Sequence, residues 1–150
     1  MQIYPVFLLV HVLAVITAVG ANATYQFWYG RAGLDKDRLV WVIQNVRLLD
    51  RRIANPSYIV VLLAGVAMVL TGPFSFESLW IALSIVLYIV VAVIGAMLYA
   101  PAMRRQLALA EADPTTPEYA AAARRSRMLG GIAVGLVLVI VVLMVFKPTL

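Results

Sequence analysis

The sequence has no cysteine and a single histidine, His11. Without cysteine the chain cannot form disulfides, iron–sulfur clusters, thiolate-bound haem or cysteine-type zinc sites. One histidine cannot build a multi-histidine metal site within one chain. Phosphate-loop, Rossmann and nucleophile-elbow patterns are also missing. The sequence therefore does not decide whether the protein is an enzyme, and it favours a protein without enzymatic activity.

Charge is scarce as well. Only 13% of the residues are charged and 64% are hydrophobic, whereas soluble domains carry roughly 25% charged residues. A chain of 150 residues with this composition is expected to form a single transmembrane domain over residues 1–150. The net charge of +5 does not indicate a nucleic-acid partner, because the basic residues lie between apolar runs and carry no DNA-binding pattern.

Four apolar runs are candidates to cross the roughly 30 Å hydrocarbon core of a bilayer as helices. They cover residues 3–25, 56–71, 79–99 and 128–146. The second and third runs are joined by a short connection, which favours antiparallel neighbours. We predict an all-α membrane protein, a four-helix up-and-down bundle.

Basic residues are missing from the N-terminal run and from the connection between the second and third spans. Of the twelve lysines and arginines, six lie in residues 30–55, five in residues 101–127, and the last is Lys147. The positive-inside rule then predicts that both basic connections face the cytoplasm and that both termini lie outside. The expected partners are the lipid bilayer and, on the cytoplasmic side, anionic inner-leaflet lipids.

The first basic connection has apolar residues at helical spacing, which predicts an amphipathic helix on the cytoplasmic face. Asp35 is its expected cap, and Trp41 is expected at the lipid interface. The apolar positions are Leu39, Val42, Ile43, Val46 and Leu49. The other basic connection reads as a Pro/Thr turn followed by a helix former, and we expect a solvated elbow there.

Small residues recur at spacings of three or four residues, on one face of the helix, in three spans, a pattern that lets membrane helices approach closely. The fourth span has Gly131 and Gly135 in a GxxxG pattern, which is also a candidate face for a homo-oligomer or a larger membrane complex. The other two stripes are Ala92, Ala96 and Ala100 in the third span, and Ala14, Ala18 and Ala21 in the first.

Polar groups inside a membrane are costly and are therefore candidates for function. His11 lies seven residues past Tyr4, which places it roughly 10 Å below the outer surface. Residues at a similar depth on the other spans complete a predicted outer-leaflet binding site, where Gly65 leaves room. Its members are His11, Met68, Ser84, Tyr88, Met144 and Lys147.

Each member of this site also has a structural explanation. Lys147 could extend to outer headgroups, and the two methionines could fill gaps. His11 could be a structural residue bonded to Tyr88 or Ser84. At the opposite side of the membrane, Asp50 lies among Arg47 and Arg51, which predicts either a boundary ion-pair cluster or a catalytic or transport role. Asn22 and Gln26 are positioned to bond to the Asp50 region.

Several stretches together resemble a known family. They are "RLLDRRIANPSY", "LTG", Trp80, "LYAPAMRR" and "LMVFKP". The chain resembles a bacterial family of small predicted integral membrane proteins of unknown function, which implies a place in the inner membrane of a bacterial cell. More distantly, it is similar to HemJ, the haem-containing protoporphyrinogen oxidase, and to the copper-resistance membrane domain CopD.

The distant resemblance implies a cofactor. It makes His11 the ligand of a haem iron, in haem b, and Lys147 a lysine on the substrate or propionate side. This sequence lacks the second histidine of a HemJ. The second axial ligand would then be Met144, Met68 or the His11 of a second subunit.

Three functions stay open at this point. The first is binding of haem, another porphyrin or another small ligand at the outer-leaflet site around His11 and Lys147. The second is a small transporter or channel subunit that uses His11 as a proton-sensitive group. The third is a non-catalytic assembly partner that associates through the GxxxG face.

Overall fold

The computed structural model describes residues 3–148, and the regular secondary structure within that range is helical. Four helices are long and apolar enough to cross a membrane: Tyr4–Ala32, Lys36–Thr71, Leu79–Ala112 and Pro117–Phe146. Each contains one predicted span and extends beyond it on the side of the basic connections. The prediction of an all-α membrane protein with four spanning helices is confirmed.

The long helices divide into six α-helices and two π-helical turns. In chain order they are α1 (Tyr4–Ala32), α2 (Lys36–Leu49), the π turn Asp50–Ala54, α3 (Asn55–Thr71), α4 (Leu79–Val93), the π turn Ile94–Tyr99, α5 (Ala100–Ala112) and α6 (Pro117–Phe146).

The two π turns each precede a proline, Pro56 in α3 and Pro101 in α5. A proline has no N–H to donate, and its ring crowds the carbonyl of the preceding helical turn. Widening that turn to π geometry relieves the crowding without ending the helix. The predicted amphipathic helix α2 therefore continues into the second span without a break.

At each connection between helices, short-range features end one helix or begin the next. Gly33 ends α1 with a φ of 61°, in the region that glycine adopts without strain. The Asp35 carboxylate then accepts the backbone N–H of Arg38 at 2.9 Å, so the predicted cap of α2 is confirmed. At the other connection, Thr116 Oγ1 accepts the N–H of Tyr119 at 3.2 Å and begins α6. The predicted turn followed by a helix is also confirmed.

The helices pack as two pairs. α1 lies along α3, and α4 lies along α6, while α2 packs against α1 and α5. No Cα of α3 lies within 8 Å of a Cα of α4, although a short connection joins them. The predicted packing of the second span against the third is therefore wrong. The two helices are instead joined by a side-chain hydrogen bond from Tyr88 of α4 to the Tyr58 carbonyl of α3.

The buried core is concentrated where α2, α5 and the first turns of α6 meet, which we call the basic end. On α2, the buried residues are four of the five predicted apolar positions, whereas Trp41 is 59% exposed. The apolar face of α2 thus covers protein. The core consists of Tyr25, Ala32, Leu39, Val42, Ile43, Val46, Met103, Ala110 and Tyr119.

The small residues differ in what they contact. Ala14 and Ala18 are buried, as the predicted stripe on the first span requires. A Cβ added at Gly131 or Gly135 would meet no atom of residues 3–148 within 4 Å, so within that range the GxxxG pattern makes no close contact with another helix. Ala92 and Ala96 are exposed on the third span, and Ala100 is half-buried.

Candidate functional site

His11 lies half-buried between α1 and α3. Its Nδ1 is 2.9 Å from the carbonyl oxygen of Val61. Because a carbonyl oxygen only accepts, the neutral ring carries its hydrogen on Nδ1 and its lone pair on Nε2. Gly65 makes this contact possible, since a Cβ there would lie 3.2 Å from His11 Cε1. The room predicted at Gly65 is taken by the imidazole itself.

The other predicted members of this site find separate partners. Ser84 is buried and donates its hydroxyl to the Trp80 carbonyl in its own helix at 2.6 Å. Tyr88 donates to the carbonyl of Tyr58 on α3 at 2.9 Å. His11 is therefore a hydrogen-bonded residue, but its partner is neither of the two predicted side chains.

Lys147 closes the end of the bundle that carries both ends of the described chain, which we call the terminal end. Its Nζ lies 4.9 Å from the ring centroid of Phe74 and 5.8 Å from that of Trp80. Tyr4 approaches the same cluster, with its ring centroid 6.3 Å from that of Phe74. Lys147 thus packs over aromatic rings contributed by the connection between α3 and α4 and by the start of α4.

The structure contains two cavities of note, and both lie towards the basic end. Of the six predicted site residues, Tyr88 alone lines either one, while Met68 and Met144 are half-buried outside them. His11 is not among the residues that line either of these two cavities. Within residues 3–148, no group of three or more His, Cys, Asp and Glu side chains could hold a metal ion. Haem b stays a prediction from the sequence.

The larger cavity has a volume of about 980 Å³ and lies between the two helix pairs. We call it the tyrosine cavity, because six of the seven tyrosines of the chain line it. Its volume is at the upper end of the range for small-molecule sites, which are roughly 300–1,000 Å³. The six tyrosines are Tyr25, Tyr29, Tyr58, Tyr88, Tyr99 and Tyr119.

Hydrogen bonds fix part of this lining. Asn22 on α1 donates its amide N–H to Tyr58 Oη at 2.7 Å. Together with the bond from Tyr88 to the Tyr58 backbone, this links α1, α3 and α4 around one residue. Tyr29 donates its hydroxyl to the Met103 sulfur at 3.6 Å, which links α1 to α5.

Three polar atoms in the cavity wall have no partner. They are Tyr25 Oη, Gln106 Oε1 and Ser126 Oγ, and they are the buried side-chain polar atoms of residues 3–148 that make no hydrogen bond. The three side chains are 3–5% exposed, and all three line the tyrosine cavity. Buried polar groups are normally paired with protein or with ordered water, so a further hydrogen-bonding partner is expected at these atoms.

Asp50 lies where the two cavities meet. It lines the tyrosine cavity and also a smaller cavity of about 440 Å³, which we call the arginine groove after Arg47, Arg51 and Arg104. Arg47 and Arg51, the predicted neighbours of Asp50, line the arginine groove together with it. The Asp50 side chain is half-buried and is the one acidic group among the residues that line the tyrosine cavity.

The sequence pointed to only part of this site. Asn22, Gln26, Asp50 and Tyr88 were all candidates, and all four line the tyrosine cavity. The remaining tyrosines were missed, because a tyrosine near a membrane surface is common and draws no attention by itself. The usable signal was their distribution, since every tyrosine except Tyr4 falls in the half of its helix nearer the basic connections or close to mid-span.

Comparison with known proteins gives one match. No curated protein and no solved structure matches this chain. A family model, described as a predicted integral membrane protein, matches residues 5–148, nearly the whole chain. With its four apolar helices, the chain is a multi-pass integral membrane protein and belongs to the DUF2269 family.

Proposed function

We propose that this protein is a membrane-embedded binding protein that holds a small amphipathic molecule in the tyrosine cavity. One observation supports the proposal most strongly: the three buried polar atoms without a partner all line this one cavity. An unpaired buried polar group costs about 1–3 kcal/mol. A bound molecule that supplies hydrogen bonds would offset that cost at three positions at once.

The lining suits a molecule with both apolar and polar parts. Tyrosine offers a large apolar ring and a hydroxyl on the same side chain. Glycine and alanine residues, including Gly95, Ala96 and Gly131, leave space on the α4 and α6 sides. Binding pockets typically combine such an apolar wall with a few placed polar groups.

A pair of glycines on α6 allows a direct test. Gly131 lines the cavity and Gly135, one helical turn further on, does not. An added Cβ meets no atom within 4 Å at either position. We expect mass spectrometry of small molecules extracted from purified protein to find at least one enriched with the wild type and Gly135→Leu. It should be lost with Gly131→Leu. An empty wild-type extract, or the same extract from both variants, would contradict the proposal.

The proposal includes an orientation. The arginine-rich connections face the cytoplasm of a bacterial cell, with anionic inner-leaflet lipids against them, and both termini lie outside. The chain has no cysteine, so single exposed positions can be labelled selectively. A membrane-impermeant maleimide added to intact cells should label Glu77→Cys on the α3–α4 connection and should not label Ala112→Cys at the end of α5. The reverse pattern would invert the orientation.

The functions inferred around His11 remain predictions from the sequence. Haem ligation would appear as a Soret band that is lost in His11→Ala. Use of His11 in proton-sensitive transport would appear as a flux that depends on pH and on the same residue. Assembly into a homo-oligomer or larger complex would rely on the α6 face with Gly131 and Gly135, which no other helix within residues 3–148 contacts closely.

A further inference from the structure

Each of the three unpartnered atoms of the tyrosine cavity can accept a hydrogen bond. Gln106 Oε1 only accepts, and Tyr25 and Ser126 carry hydroxyls that can accept as well as donate. When ionised, the carboxylate of Asp50 in the same lining also only accepts. A ligand that brings several donors of its own can therefore satisfy all of these groups.

The acidic residue in the lining of the cavity also favours a cationic ligand. Asp50 is half-buried and is the one acidic residue among those that line the cavity. Leaving a charge poorly solvated and unpaired is costly, whereas a complementary charge with hydrogen bonds offsets much of that cost. Arg124 and Arg127 also line the cavity, but both are exposed residues, so water solvates them more fully than it solvates Asp50.

The aromatic lining adds a third reason. Tyrosine rings attract cations through the negative face of the ring, and six tyrosines surround this space. An aromatic enclosure alone would also suit a quaternary ammonium. Such a group has no N–H, however, and would leave Gln106 Oε1 without a partner.

From these observations we infer that the cavity binds a protonated primary or secondary amine, with Asp50 as its counter-ion and Gln106 and Tyr25 accepting its N–H groups. The inference rests on the proposed binding function and names its ligand class. The apolar part of the amine lies among the tyrosine rings.

A matched series of probes tests the ligand class. We would titrate 2-phenylethylamine, its N,N,N-trimethyl analogue, neutral 2-phenylethanol and anionic phenylacetate into the full chain by calorimetry. The protein would be held in phosphatidylcholine nanodiscs, which carry no net lipid charge. We expect the amine to bind at least about tenfold more tightly than the alcohol and the trimethyl analogue, and phenylacetate to bind most weakly.

Substitutions in the lining of the tyrosine cavity test which residues cause the preference for the amine. Asp50→Asn should abolish the preference for the amine over the alcohol, while Asp50→Glu should keep it within a few-fold. Gln106→Met removes an acceptor at similar length and should weaken the amine about three- to tenfold. Asp37→Asn, an exposed carboxylate on α2 outside both cavities, should change nothing. If Asp50→Asn does not fold, the amine affinities of Asp50→Glu and Gln106→Met still test the inference. The first should stay within a few-fold of the wild type and the second should be weaker, and equal affinities of Gln106→Met and the wild type would contradict the inference.

The outcomes separate the two proposals. Equal binding of the amine and the alcohol, unaffected by Asp50→Asn, overturns the amine inference and leaves the binding function in place. Tighter binding of phenylacetate would overturn it in favour of an anion held by the arginines. No binding of the amine by the wild type also overturns it. The binding function itself fails if the wild-type extract is empty or if the extracts of Gly131→Leu and Gly135→Leu are the same.

Discussion

Tyr88 of α4 donates its hydroxyl to the backbone carbonyl of Tyr58 in α3, at 2.9 Å. Tyr58 Oη in turn accepts the amide of Asn22 from α1. One residue therefore ties together three helices at the edge of the cavity, in a region where α3 and α4 make no close backbone approach.

Removing the hydrogen bond from Tyr88 to the Tyr58 carbonyl should weaken the association of the two helix pairs. Tyr88→Phe keeps the ring and deletes the donor, so we expect a loss of about 1 kcal/mol in the free energy of unfolding. Thermal or denaturant unfolding in mild detergent measures it. Tyr4→Phe, at the terminal end outside both cavities, is the matched control and should leave stability within about 0.5 kcal/mol of the wild type. Equal effects of the two variants would show that the bond carries no net stability.

Two glycines should respond oppositely to the same substitution. A Cβ at Gly72 would lie 2.7 Å from the Met68 carbonyl oxygen and equally close to the Tyr4 ring. Gly72→Ala should therefore destabilise the protein by about 1–3 kcal/mol. Gly135 is helical with open space around it, so Gly135→Ala should be neutral or stabilising by up to about 1 kcal/mol. A stable Gly72→Ala variant would show that the α3–α4 connection can move away from Tyr4.

The contact of Lys147 with Phe74 predicts an energetic coupling between them. With Nζ at 4.9 Å from the ring centroid, we expect about 0.5–1 kcal/mol for a site near the surface. A double-mutant cycle of Lys147→Gln and Phe74→Leu, followed by unfolding, isolates this pairwise energy. A coupling energy of zero would indicate that Lys147 serves only the lipid headgroups, which is the explanation first considered from the sequence.

The α5–α6 turn should depend on pH. The hydroxyl and backbone N–H of Thr115 donate to Asp113 at 2.7 and 2.8 Å, and they lower the pKa of this exposed carboxyl below its ordinary value of 3.8. A lowered pKa in the folded state stabilises the turn above the unfolded value, and this stability is lost as pH falls through the folded value. Amide exchange of Thr115 should therefore quicken below about pH 4 in the wild type.

Asp113→Asn is the test of that pH effect. An asparagine keeps an oxygen that can accept the same bonds but does not titrate in this range. Exchange at Thr115 should then lose the acid-dependent change, once the intrinsic pH dependence of exchange is subtracted. The exposed Asp37→Asn substitution on α2 should keep the wild-type behaviour, and a matching loss there would contradict the assignment to Asp113.

The fold was accessible from the sequence because its causes are local. Apolar runs long enough to span a bilayer, the capping oxygen of Asp35 and the Pro/Thr turn before Pro117 each act within a few residues. The sequence did not correctly predict which spanning helices pack together. The short connection between the second and third spans predicted that they pack together, but the structure pairs α1 with α3 and α4 with α6.

The site was less accessible because its members come from every part of the chain. Depth along each span brought His11 and Lys147 to the same half of the bundle, but depth does not fix the rotation of a helix about its axis. Tyr88 belonged to the predicted site by depth, yet its side chain lines a cavity that extends towards the basic end. Asp50 was noticed from its charge, while Tyr25 and Tyr99 became significant only when the helices were assembled.

The π turn at Asp50–Ala54 also sets the angular phase between α2 and α3. Each helical residue advances the chain by about 100°, and a π turn typically accommodates one extra residue. Deleting one residue there would restore regular winding and leave α2 and the second span close to their present phase. Rewinding the turn as regular α-helix without a deletion would instead rotate α2 by about that angle and carry Leu39 and Ile43 out of the core, so the length of this turn and its π geometry are matched to each other.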